Sequence, residues 1–354
     1  MDGLINVLKV IAPTTVAFFV GIALTPFLTN YLYKHKMWKK KAGKIAPDGR
    51  ATPIFDKLHE QKEVGTPRLG GVIIWASTLI TIIIFALIAE FAPTPLTTKL
   101  NFLSRNQTWL PLFTLIVASL IGLVDDLIEV GVKSDGSSGG LSFKKRLFMV
   151  SILGLIGAWW FFFKLESSEV FVPFLGLLDI GWLVIPLFVI VMVVLFSSSV
   201  IDGIDGLAGG VMAIIFAAYA GVAFFQNQID LAAFSAVLAG GTLAFLWFNI
   251  PPARFYMSET GILGLTTTLT VIAFLTDSVF ILPIIAFPLF ATVICNIIQL
   301  GSKRLRNGKK VFLVAPLHHH FEALGWPAYK VTMRYWIIGI VTAVIGMIIA
   351  LIGR

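Results

Sequence analysis

The sequence predicts an all-α fold: a polytopic integral membrane protein of ten transmembrane helices, both termini external, forming a single domain over residues 1–354. Three observations carry that expectation. First, hydrophobic residues make up 57% of the chain and charged residues 13%, against roughly 45–50% and about 25% in soluble proteins. Together with a mean hydropathy of +0.91, this excludes an ordinary soluble enzyme and a disordered chain. Second, the apolar residues fall in uninterrupted runs near the ~20 residues that cross a bilayer as a helix, not in the short alternating segments of a transmembrane barrel. Third, 22 of the 27 Lys and Arg residues lie in the loops that follow every second run.

The spans read, in order, as about 5–29, 70–92, 109–128, 147–165, 181–198, 207–226, 231–249, 262–277, 279–300 and 335–353. The first is too long for a cleaved signal peptide, lacks a basic start and runs straight into a basic loop. The second opens on Gly70-Gly71, the third ends on Asp125-Asp126, and the fourth is introduced by Lys144, Lys145 and Arg146. Strand character is confined to 169–174, a candidate short hairpin. Only Thr276-Asp277-Ser278 separates the eighth span from the ninth. Cytoplasmic loops retain positive charge, so the loops after odd spans face the cytoplasm. The net charge of +8 is then a matter of topology and of attraction to anionic lipid in the bilayer; no nucleic-acid partner is expected. One cysteine, Cys295, excludes an intramolecular disulfide and a cysteine-ligated zinc.

A carboxylate in or beside a span is expensive and points to function. Asp125 and Asp126 end the third span. Asp202 and Asp205 follow the fifth, spaced to share one face of a helical turn. Asn249 ends the seventh, and Glu259 follows it. As plain helix caps, Asp202 and Asp205 would start the sixth span. All these residues nevertheless fall at the cytoplasmic ends of spans, which is the pattern of an active site; a pore places polar groups at mid-span depth. Clustered carboxylates repel unless a cation or proton intervenes. Oxygen donors without cysteine suit Mg2+ or Mn2+, shared among these carboxylates. The anion side comes from Thr66-Pro67-Arg68-Leu69-Gly70-Gly71 with Lys62 nearby, from Lys144, and from His318-His319-His320. A helix N-terminus attracts phosphate; three contiguous histidines suit zinc poorly but can hold phosphate or relay a proton. Imidazoles can donate hydrogen bonds to a phosphate, more strongly when protonated, with His319 and His320 the candidates.

The motifs at Thr66–Gly71, Gly122–Asp126, Asp202–Gly206 and Ala315–Glu322 occur in the order found in the polyprenyl-phosphate N-acetylhexosamine-1-phosphate transferase superfamily. The chain resembles that superfamily over essentially its whole length. The triple histidine with Phe321-Glu322, then Gly325-Trp326-Pro327 and Arg334-Tyr335-Trp336, is similar to the superfamily's bacterial cell-wall branch. The resemblance implies a ten-helix fold in the bacterial inner membrane with an active site facing the cytoplasm. It implies that undecaprenyl phosphate attacks the β-phosphorus of UDP-N-acetylmuramoyl-pentapeptide, giving UMP and lipid I, with Mg2+ as cofactor. Carried over, Asp125, Asp126, Asp202 and His318 to His320 are catalytic. Lys62, Thr66, Lys144, Gly203, Ile204, Asp205, Asn249 and Tyr256 bind substrate, with Tyr256 stacked on uracil, and Glu259 and Asp202 hold the metal. A second copy of the chain is a candidate partner. Four positions depart from the family pattern. Phe196 and Ser199 stand where two asparagines are usual, Glu259 replaces an Asp, and Glu129 replaces a basic residue. The alternative donor is another UDP-linked N-acetylhexosamine.

Overall fold

The computed structural model describes residues 2–40, 64–104, 107–131 and 140–354; the expected site residue Lys62 lies outside them. Among the described residues the fold is helical apart from one hairpin. The helices are α1 (Asp2–Lys34), α2 (Val72–Phe91), α3 (Pro95–Leu100), α4 (Trp109–Gly131), α5 (Phe143–Trp159), α6 (Val184–Ser197), α7 (Leu207–Phe225), α8 (Ile229–Asn249) and α9 (Ser258–Leu275). They continue with α10 (Leu282–Ile285), α11 (Phe287–Leu305), α12 (Leu317–Ala323) and α13 (Ala328–Ile352). Among the described residues, nine helices are long and apolar enough to cross a membrane. The expected span 279–300 is instead built in two pieces, α10 and α11. Pro283 and Pro288 sit in the first turns of those two helices. A proline ring lacks an N–H and clashes with the preceding turn, so it starts a helix well and interrupts one badly. The breach falls at Ala286. The predicted hairpin is present, β1 (Glu169–Val172) pairing antiparallel with β2 (Gly176–Asp179).

The helices form nested layers. In its most apolar stretch α9 is 89% buried, whereas α1 is 17% buried, so α9 is the axis of the bundle and α1 presents its apolar surface to lipid. α9 packs chiefly on α4, and α8 lies between α1 and α7. Helices in a bilayer gain little from hydrophobic burial against one another, so close packing falls to small residues. At the α4–α9 crossing, a Cβ added to Gly122 would lie 2.2 Å from the Glu259 carbonyl oxygen. At the start of α2, a Cβ added to Gly71 would lie 2.2 Å from the Gly261 nitrogen. Both contacts press the backbone of the Glu259 turn against its neighbours at the end of the bundle where the acidic motifs lie.

Candidate active site

The helix ends that carry the motifs are tied by backbone bonds before any charge is considered. Arg68 N donates to the Met37 carbonyl (2.8 Å), Tyr256 N to Pro67 O (2.8 Å), Gly70 N to Tyr256 O (2.9 Å) and Gly71 N to Met257 O (3.1 Å). The close approach expected of Gly70-Gly71 is thus made to the 255–261 segment of the protein itself. The Asp202–Gly206 turn is fixed from several sides. Ser258 N donates to Asp202 Oδ2 (2.8 Å), and Ala253 N donates to Asp205 Oδ2 (3.3 Å). Asn249 Oδ1 accepts from Gly206 N (2.9 Å), while its Nδ2 donates to Phe255 O (2.8 Å). Asn249 therefore clasps the turn to the 255 segment through both ends of its amide. From α13, Trp336 Nε1 donates to Gly206 O (3.2 Å).

Within this frame the carboxylates gather around two arginines. Asp126 is buried; its Oδ2 accepts from Thr260 N (2.9 Å) and Thr260 Oγ1 (2.6 Å). Its Oδ1 lies 3.4 Å from Arg68 Nε. Arg68 Nη1 also reaches Glu129 Oε1 (3.0 Å), which Lys39 Nζ approaches at 3.2 Å. Asp125 accepts from Leu141 N and lies 3.4 Å from Arg146 Nη1, and that same Nη1 donates to Glu259 Oε1. Burial pulls the Arg68 guanidinium down, but the fields of Glu129, Asp126, Glu259 and Asp202 outweigh it and hold Arg68 above its ordinary value. Five carboxylates (Asp125, Asp126, Glu129, Asp202 and Glu259) thus face three cations (Lys39, Arg68 and Arg146).

No three Asp, Glu, His or Cys side chains converge on a single point among the described residues. Two buried carboxylate oxygens, Asp126 Oδ1 and Glu259 Oε2, nevertheless lack a hydrogen-bond partner there. Mg2+ is commonly held by only one or two carboxylates together with substrate phosphates, so this oxygen-only donor set, with its two unbonded oxygens, fits such an ion.

The histidine run, expected in a loop, is helical and lies in the first turn of α12. Its three rings meet three different surroundings. His318 and His319 are buried, their ring centroids 4.2 Å apart, and both Nε2 atoms face Gly203. A Cβ at Gly203 would come within 2.6 Å of the first and 2.9 Å of the second. His319 Nδ1 bonds Glu322 Oε2 at 2.7 Å. His320 points elsewhere: its Nδ1 accepts from Leu313 N (3.2 Å), and its ring lies near Phe312 and Phe321.

The structure therefore joins Asp125, Asp126 and Glu259 through the arginines. It places Asp202, Gly203, Ile204, Asp205, Asn249 and the half-buried Tyr256 in one clasped unit, and sets His318 and His319 against it. Half-buried Thr66 flanks the Pro67 contact, and Lys144 is exposed at the start of α5. Reading the sequence missed Arg68, Arg146, Thr260 and Glu322. Arg68 and Arg146 sit inside basic motifs expected to meet an anionic ligand, whereas here they pair with the carboxylates.

Comparison with known proteins identifies the chain's relatives. Residues 108–277 match glycosyl transferase family 4, a stretch that contains every carboxylate of the cluster. The phospho-N-acetylmuramoyl-pentapeptide-transferase of Anoxybacillus flavithermus is 35% identical over 338 residues, covering 94% of this chain and 95% of the relative. The protein of the same name from Bacillus licheniformis is 33% identical over 335 residues, covering 94% and 95%. That from Listeria monocytogenes is 30% identical over 339 residues, covering 95% and 96%.

Proposed function

Because the chain belongs to glycosyl transferase family 4, among the phospho-N-acetylmuramoyl-pentapeptide-transferases, we propose that it transfers phospho-N-acetylmuramoyl-pentapeptide from UDP-N-acetylmuramoyl-pentapeptide to undecaprenyl phosphate. The products are lipid I and UMP, and the step is the first membrane step of peptidoglycan synthesis. Family membership makes the chain a phosphoglycosyl transferase; the donor, the lipid and the cofactor are our reading. The observation that carries it is the meeting of a carboxylate cluster with two buried imidazoles at one end of the bundle. A lipid-borne phosphate and a soluble nucleotide can meet there, at the cytoplasmic surface of the inner membrane.

In this reading an oxygen of undecaprenyl phosphate forms a bond to the β-phosphorus, and the bond from that phosphorus to the UMP oxygen breaks. Phosphoryl transfer leaves the protein chiefly the work of positioning and charge neutralisation. Asp125 orients the lipid phosphate at the membrane border, with Asp126 held by Thr260 beside it. The clasped Asp202–Gly206 turn receives the nucleotide, and His318 and His319 face its phosphates. Mg2+, held by Glu259 with Asp202 close by and the Asp pair adjoining, would supply positive charge to the diphosphate.

Incubating the purified protein with radiolabelled UDP-N-acetylmuramoyl-pentapeptide and undecaprenyl phosphate tests the proposal. Label should pass to the lipid fraction with release of UMP; none passing while UDP-N-acetylglucosamine serves as donor overturns it. That second donor class is favoured by one observation. Phe196, where the family usually has an amide, is a buried ring stacked on Phe143 at 5.7 Å and 22°.

A further inference from the structure

Glu322 is three residues beyond His319 on α12, and the side chains of positions i and i+3 share a helix face. Its Oε2 lies 2.7 Å from His319 Nδ1, and both side chains are largely enclosed, at 8% and 3% exposure. A carboxylate on one ring nitrogen of a histidine keeps the proton on that nitrogen and fixes the direction of the other. Here the other nitrogen is Nε2, and it faces the bare Cα of Gly203, where a methyl group would come within 2.9 Å. Gly203 sits in the turn braced by Asn249, Ser258 and Ala253, so the imidazole is aimed at a fixed target.

The other charged and titratable groups packed on this helix have distinct assignments. His318 lies edge-on to His319. Asp202 accepts from Ser258 N and Asp205 from Ala253 N. From α13, Lys330 and Arg334 lie over the Trp326 ring at 5.4 Å and 4.1 Å.

We propose that Glu322 is a positioning residue: by accepting from His319 Nδ1 it holds the ring so that Nε2 addresses a phosphate oxygen of the leaving nucleotide over Gly203. This rests on the phosphoryl-transfer reading above, and a geometric observation separates Glu322 from a residue that merely caps the helix. The cap of α12 at Leu324 is made by backbone bonds to Glu322 O and His320 O, which do not need the Glu322 side chain.

The test is a double-mutant cycle on the full-length protein in detergent, with turnover, KM for the nucleotide donor and the histidine 15N spectrum as readouts. Glu322→Met removes the acceptor at similar length. It should lower kcat about 10- to 100-fold, as loss of an outer-shell partner of a working histidine does, with KM little changed. In the His319→Ala background the same substitution should cost nothing further, since both members of a unit act through one group. Glu322→Gln keeps an acceptor, and should recover most of the turnover with His319 Nδ1 still protonated. Full kcat in the Met protein, or an equal loss with and without His319, overturns the assignment. Should the Met protein not fold, a Gln protein as inactive as His319→Ala with Nδ1 still protonated overturns it equally. The 15N spectrum and the binding of UMP need no transfer, so an altered His319 signal in a protein inactive on every donor would count against the reaction and not against the contact.

Discussion

Replacing Gly122 by Ala puts a methyl group 2.2 Å from Glu259 O, 2.4 Å from Glu259 C and 2.7 Å from Thr260 N. All three are backbone atoms, so no side chain can rotate away. A relaxed carbon–oxygen contact lies near 3.3 Å or more, and α4 and α9 must therefore part by about 1 Å. The bond from Thr260 N to Asp126 Oδ2, now 2.9 Å, would stretch well past the ~3.2 Å limit of a protein hydrogen bond. Overpacking costs about 1–3 kcal/mol, and the bond to a charged acceptor about 1.5–3 kcal/mol more. The same movement separates Glu259 from Asp126, and a displacement of about 1 Å near reacting groups can cost ~100-fold in rate. The helix by itself would prefer Ala by about 0.5–1 kcal/mol, so a loosely packed crossing predicts the opposite sign. Gly131→Ala, on the same helix with no described residue within 4 Å of the added carbon, is the internal control and should be neutral or slightly stabilising. Thermal unfolding and turnover measured on the same micellar samples decide the matter. A Gly122→Ala protein at least as stable as the parent, with full turnover, would refute the close-packed α4–α9 crossing.

Asn249→Ala leaves a buried N–H at Gly206 and a buried carbonyl at Phe255, each costing about 1–3 kcal/mol; an unchanged melting temperature would contradict the clasp. Glu259→Gln should abolish most transfer and weaken binding of divalent cation, read by titrating Mn2+; full activity in excess chelator would exclude the metal proposal. Leu305, 84% exposed at the end of α11, should react as Leu305→Cys with an impermeant thiol reagent only after cells are opened. Ready labelling of intact cells would invert the proposed topology.

The apolar runs announced the bundle because a bilayer demands about 20 apolar residues per helix, and nothing local competes with that signal. The ninth run is continuous in apolarity, but Pro283 and Pro288 start separate helices, so it is built in two pieces. The carboxylates were legible for the same energetic reason: charge is costly beside lipid, so its presence points to use. Their partners were not. Nothing local tells which of 27 basic residues turns inward; Arg68 and Arg146 meet Asp126 and Glu259 only through the path of the whole chain. Asn249 was recognised as a polar group at a span end, but whether its amide serves a ligand or the fold depends on Gly206 and Phe255, 43 and 6 residues away. The histidines read as one unit in the sequence, yet neighbouring helix positions point about 100° apart, so one turn can recruit only part of the run.

Arginine among the carboxylates also separates the making of this protein from its loading. A structural metal site lacks its shape until the ion arrives, which is why such domains fall apart in chelator. Here Arg146 already bridges Asp125 and Glu259, and Arg68 already stands against Asp126 and Glu129. A nascent chain entering the bilayer thus carries its own counter-charges, and newly inserted protein can mature in a compartment starved of divalent ions. Protein purified in chelator should accordingly stay folded and melt only slightly below protein kept in Mg2+, by the modest stabilisation that a bound ion adds, and a large drop would show that the arginines do not suffice.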